Sequence, residues 1–171
     1  GIAYDGAPFA GWQSQPAGNT VQDRLEAAVA AIAERPVRLT AAGRTDAGVH
    51  ATAQVAHFDV DVARSESAWV RGTNSNLPQA IAVQWATEVD GKFHARYSAA
   101  SRTYRYVLYN HPVRPSVLAG KVGWFHLPLD VEQLFVPVIS HRLVFRSGFL
   151  ARARASGWAA AIDDFRRQCL E

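Results

Sequence analysis

The chain has 171 residues, 49% hydrophobic and 19% charged, which excludes wholesale disorder and leaves room for one domain with a sizeable core or two small ones. A net charge of +3 and a pI of about 9.4 permit a phosphate-rich partner without requiring one. The single cysteine, Cys169, excludes an intramolecular disulfide and a cysteine-rich zinc site, and no apolar run reaches the length of a membrane span.

Gly1-Ile2-Ala3-Tyr4 reads as the end of a strand and Asp5-Gly6-Ala7-Pro8 as the loop after it. The turn from Gln15 to Asn19 leads into the clearest helix, with Thr20 as its cap and Asp23 in the place of a capping-box acid. Val21, Leu25, Ala28, Val29 and Ile32 recur at helical spacing on one apolar face, and Pro36 stops the helix. A short strand is predicted over Val37 to Thr40, delivering the chain to a loop, and another over Gln54 to Val60, leaving it.

Ser65 to Asn76 predicts a second helix, closed by Asn74-Ser75-Asn76 and Pro78. Ile81, Val83 and Trp85 alternate with Ala82, Gln84 and Ala86, as in a strand buried on both faces. Ser101 to Asn110 predicts a further strand, with Tyr104, Tyr106 and Leu108 on one face and Arg105, Val107 and Tyr109 on the other. There are no repeats at solenoid periods and no low-complexity tract. Strands interleaved with two helices give an α+β layer, a sheet with helices packed on one face.

The loop between the first predicted strand pair, Ala42-Gly43-Arg44-Thr45-Asp46-Ala47-Gly48-Val49-His50-Ala51, places a carboxylate two residues after a guanidinium and two before a glycine. Taken alone it also reads as a surface turn tied by an Arg44–Asp46 ion pair, an interaction worth little in water. The string is highly specific, however, and so are Tyr4-Asp5-Gly6, Gly11-Trp12-Gln13, Thr20-Val21-Gln22, Asn76-Leu77-Pro78, Phe93-His94-Ala95-Arg96, Tyr104-Arg105-Tyr106, Tyr109-Asn110 and Arg114-Pro115. Together and in this order they resemble the tRNA pseudouridine synthase A family, from about Gly1 to Leu134.

That resemblance implies a pseudouridine synthase fold, a mixed or antiparallel sheet flanked by helices with the cleft in its middle, of which only the N-terminal half is complete here. It implies an isomerase that converts uridine to pseudouridine in the anticodon stem-loop of tRNA and works as a homodimer. Isomerisation breaks a glycosidic C–N bond and reattaches the same ring through carbon, with no redox step, so neither a metal nor an organic cofactor is expected. A carboxylate suits the role of nucleophile because it is ionised at neutral pH. Asp46 is the candidate by chemistry and by resemblance; attack on the ring and assistance at the sugar are both compatible with the sequence.

Arg44 is placed to favour the charged carboxylate and to fill the gap left when the target base is drawn from the stack. Tyr104 alone would read as core packing with its hydroxyl satisfied; by resemblance it is the tyrosine that stacks on the target base and joins in proton transfer. Of the 18 basic residues only Lys92 and Lys121 are lysine, a bias that suits phosphate and base contacts or follows the base composition of the gene. Arg96 and Arg102, interleaved with tyrosines, are candidate RNA contacts, against the alternative of a solvated sheet edge. Arg24 and Arg35 read as the solvated side of the first helix. His50 and His94 belong to family motifs and are candidate substrate contacts, while the histidines lack the clustering of a zinc site.

The expected organisation is a catalytic domain over residues 1–134 and a divergent tail over 135–171, where Trp158, Ile162, Phe165 and Cys169 have the spacing of a terminal helix. The family's second half, which completes the cleft, is not recognisable in the tail. Back-translation in a neighbouring frame around Arg142 to Ser147 yields a family-like Asp-(Leu/Phe)-Ser-Ser, so a frameshifted, non-catalytic remnant with weak RNA binding is the alternative expectation. The chain has no methionine and begins in mid-strand, so a native start upstream is expected; with no signal-peptide pattern, the expected location is the cytoplasm.

Overall fold

The computed structural model describes residues 1–129, in two units: Gly1–Arg105, and a second that begins at Tyr106. The expected boundary at 134/135 and the terminal helix lie outside the described residues. Among the described residues no helix is long and apolar enough to cross a membrane.

The first unit is built from β1 (Ile2–Tyr4), α1 (Val21–Ala33), β2 (Thr40–Ala41), β3 (Ala51–Gln54), β4 (Ala56–His57), α2 (Glu66–Ser75) and β5 (Ile81–Val83). β1 is the centre of an antiparallel sheet of order β3-β1-β5, and β2 pairs antiparallel with β4. Against β3 the register slips by one residue, with Ile2 facing Gln54 and Tyr4 facing Ala51. The second unit carries a parallel pair, β6 (Leu108–Asn110) and β7 (Gly123–Phe125). Asn110 ties that pair together, its side-chain amide donating to the carbonyls of Phe125 (2.9 Å) and Leu127 (2.6 Å).

α1 starts where the capping spacing places it. The Thr20 hydroxyl accepts the Asp23 N–H at 3.2 Å, and Asp23 Oδ2 accepts the Thr20 N–H at 3.3 Å and its hydroxyl at 2.6 Å. Its inner face buries Val21, Gln22, Leu25, Ala28, Val29 and Ala33. Ile32 is only half-buried and lies instead against α2, where a Cβ on Gly72 would come within 2.6 Å of Ile32 Cδ1. The helix ends at Glu34, which turns left-handed at φ +57°, and Arg35 pairs with Asp61 on the surface. α2 is capped by Ser65, whose hydroxyl accepts the Ala68 N–H at 3.2 Å. The core joins Ile2, Tyr4, Phe9, Trp12, Leu25, Val29, Leu39 and Ile81, with Phe58 and Trp69 packed edge-on beside it.

Four strand expectations are corrected. Val37 to Leu39 is not a strand, because helix side chains take its backbone groups: Glu26 Oε1 accepts the Leu39 N–H at 2.9 Å and Gln22 Nε2 donates to the Leu39 carbonyl at 3.2 Å. The strand leaving the loop begins at Ala51, not Gln54, and changes sheets at Val55, whose carbonyl accepts the Ala42 N–H at 2.7 Å. β5 stops at Val83, and Trp85 is half exposed, so this segment is not buried on both faces. Of Ser101 to Asn110 only the last three residues are strand; the stretch before them forms no ladder among the described residues, and Tyr104, Tyr106 and Val107 are exposed.

Candidate active site

The Gly43–His50 loop leaves β2 and returns as β3, held at its ends, from beneath and by a turn of its own. At its start, the side-chain amide of Gln54 donates to the Gly43 carbonyl at 2.6 Å, and its oxygen lies 3.4 Å from the Gly43 N–H. At Thr45, the hydroxyl meets Tyr4 Oη at 2.8 Å and the carbonyl accepts the Trp12 N–H at 2.9 Å. Further on, the Val49 N–H closes a turn onto the Asp46 carbonyl at 3.2 Å, and the Gly48 N–H reaches the Phe9 carbonyl at 3.3 Å. Arg44 and Asp46 stand exposed between these anchors, and no ion pair joins them among the described residues. The reading of a turn tied by that pair is therefore set aside; backbone and buried side-chain bonds fix the loop.

The floor under Asp46 requires glycine. A Cβ on Gly11, where φ is +96°, would lie 2.9 Å from the Thr45 carbonyl oxygen and 3.2 Å from the Ala47 nitrogen. One on Gly6 would sit 2.0 Å from the Val49 carbonyl oxygen. His50 Nδ1 accepts the Gly6 N–H at 3.1 Å and lies 2.9 Å from Asp5 Oδ1. A single ring nitrogen serves either the donor or the carboxylate, according to its protonation.

Tyr104 and Arg102 stand over the start of the loop: the space beside Gly43, where a side chain would grow, is bounded at 3.5 Å by Tyr104 Oη and Arg102 Cδ. Arg102 Nε donates to the Ala42 carbonyl at 2.9 Å and its NH2 group to the Arg96 carbonyl at 2.6 Å, linking the loop to the 93–98 turn. The Arg96 side chain is exposed there. His94 is occupied differently, stacked on Tyr97 at 4.3 Å and tilted against His57 at 4.7 Å, and its Nδ1 accepts the Tyr97 N–H. The structure thus gathers Arg44, Asp46, Arg102 and Tyr104 about one loop, with His50 at its exit, and holds His94 in a separate aromatic stack.

Sequence reasoning missed the supports: Tyr4, Gly6 and Gly11 were motif members without a role, and Gln54 was only the first residue of a predicted strand. A depression of about 120 Å³ along β3 and β5, lined by Ile2, Gln54 and Trp85 among others, includes none of the candidate residues.

Residues 2–98, which include the loop that carries Arg44 and Asp46, match the sequence model of the tRNA pseudouridine synthase family. The chain belongs to that family. Among similar curated proteins, the tRNA pseudouridine synthase A of Aromatoleum aromaticum is 62% identical over 130 residues, 76% of this chain and 49% of that protein. Those of Chromobacterium violaceum (64% over 135 residues) and Methylobacillus flagellatus (58% over 134) each cover 78% of this chain, and 52% and 51% of their own lengths respectively. The chain thus spans about half the length of the curated relatives it matches.

Proposed function

We propose that this chain is the loop-bearing part of a tRNA pseudouridine synthase, isomerising uridine to pseudouridine in the anticodon stem-loop, in the cytoplasm and as a homodimer. In this reading it forms the first half of a pseudouridine synthase fold, with helices on one face of its sheet. The observation that carries it is an exposed Asp46 on a backbone fixed at Gly43, Thr45 and Gly48, within the family match. Asp46 is the nucleophile that lets the C1′–N1 bond break and C1′–C5 form; the proton leaving C5 balances the one gained at N1. Arg44, exposed and with no side-chain hydrogen bond or ion pair among the described residues, fills the place of the extracted base. Tyr104, 65% exposed, offers its ring for stacking. Arg96, Arg102, His50 and His94 contact the substrate around it, Arg102 through the part of its guanidinium not bound to carbonyls.

The test is pseudouridine formation by the purified 171-residue chain on an unmodified tRNA transcript, with its elution volume recorded. Turnover is expected, and Asp46→Ala is expected to lower it by at least about a thousandfold while leaving tRNA binding within about twofold. An active Asp46→Ala chain would remove Asp46 from its role. RNA binding without turnover by the parent would identify a non-catalytic remnant.

A further inference from the structure

Gln54 lies four residues past His50, in β3, yet its side chain turns back to the start of the loop. It is only 9% exposed, and every hydrogen-bonding position of its amide has a partner. One N–H goes to the Gly43 carbonyl at 2.6 Å and the other is directed to Tyr4 Oη at 3.5 Å; the oxygen faces the N–H groups of Gly43 (3.4 Å) and Val55 (3.2 Å). Tyr4, 5% exposed, continues the chain to Thr45 Oγ1 at 2.8 Å. The path Gly43–Gln54–Tyr4–Thr45 therefore holds the Gly43 backbone and the Thr45 hydroxyl, on either side of Arg44, and ends one residue before Asp46. Its middle members, Tyr4 and Gln54, come from β1 and β3, whose register slips between Ile2 and Tyr4.

We infer that Gln54, acting through Gly43 and Tyr4, is a positioning residue that sets where Arg44 and Asp46 stand. The inference rests on the reading of Asp46 as the reacting group. A displacement of the order of 1 Å at a reacting group costs about a hundredfold in rate, so a buried amide gripping the loop acts on turnover more than on substrate binding.

The molecule supplies its own control. Asn74 grips Val83 in the same way, Nδ2 donating to the carbonyl at 2.9 Å and Oδ1 accepting the N–H at 2.8 Å, but it joins α2 to β5 away from the loop. In the full chain, Gln54→Ala is expected to lower kcat about tenfold to a hundredfold with KM for tRNA within about twofold. Gln54→Glu is not expected to restore it, because a carboxylate cannot donate to the Gly43 carbonyl. Asn74→Ala should lower the melting temperature and leave kcat unchanged below it.

Hydrogen exchange at the Gly43 amide gives a readout independent of turnover: about tenfold faster in Gln54→Ala, unchanged in Asn74→Ala. Equal kcat losses in both variants, or unaltered Gly43 exchange in Gln54→Ala, would overturn the inference. A parent chain without turnover would defeat the proposed function instead, and Gly43 exchange would then decide the grip alone.

Discussion

Asp23 and Gln54 are both polar side chains that bond to backbone, and they differ in how far along the chain their partners lie. Asp23 is three residues from Thr20, and its carboxyl is held below the ordinary carboxylate range. Burial opposes the charged form, but bonds from Ser14, from the Thr20 hydroxyl and N–H, and the charge of Arg24 outweigh it. A carboxyl with a lowered folded-state pKa contributes stability that is complete above its unfolded value and is lost as pH falls through the folded one. Melting followed from about pH 7 to about pH 3 should therefore show an acid loss that is shallower in Asp23→Asn, which should also be less stable at neutral pH. Thr20→Ala, removing the cap, should cost about 1 kcal/mol at neutral pH by denaturant titration. The capping bonds were legible in the sequence because their spacing is local. Gln54 was not, since its partners at Gly43 and Tyr4 are brought near only by strand pairing.

At the scale of elements, the loop is shaped as much by the segment between β1 and α1 as by its own residues. Gly11 and Gly18 both have positive φ, +96° and +68°, but only at Gly11 would a Cβ meet the loop backbone; at Gly18 it meets nothing within 4 Å. Gly18→Ala should thus cost about 1–2 kcal/mol in stability with turnover intact, the penalty of the left-handed conformation alone. Gly11→Ala should cost at least as much and also lower kcat by about tenfold or more, by displacing Thr45 and Ala47 under Asp46. Steady-state kinetics and melting of the two variants together separate strain from displacement. The two helices were legible because the apolar spacing and cap of α1, and the Asn74-Ser75-Asn76 and Pro78 stop of α2, act within the element. The short strands were less so: at Leu39 the ladder lost to Gln22 and Glu26, and at Val55 the chain moves between sheets.

For the molecule as a whole, the division after Arg105 matters because, among the described residues, the core cluster lies before it. A chain ending at Arg105 should unfold in one cooperative transition and keep the blue-shifted fluorescence of the buried Trp12; a broad, non-cooperative melt would contradict this. By itself the sequence determined the two helices and the Thr20 cap of the first, the loop that carries Arg44 and Asp46, and the family, because each is written in contiguous residues or fixed spacings. Only the tertiary structure decided that the Arg44–Asp46 pair is not what ties the loop. It also decided that Tyr4, Gly6, Gly11 and Gln54 form its support, and that Tyr104 and Arg102 stand over Gly43. Those relations join residues tens of positions apart, and pairing across β1 and β3, which no local pattern encodes, is what brings the first of them into reach.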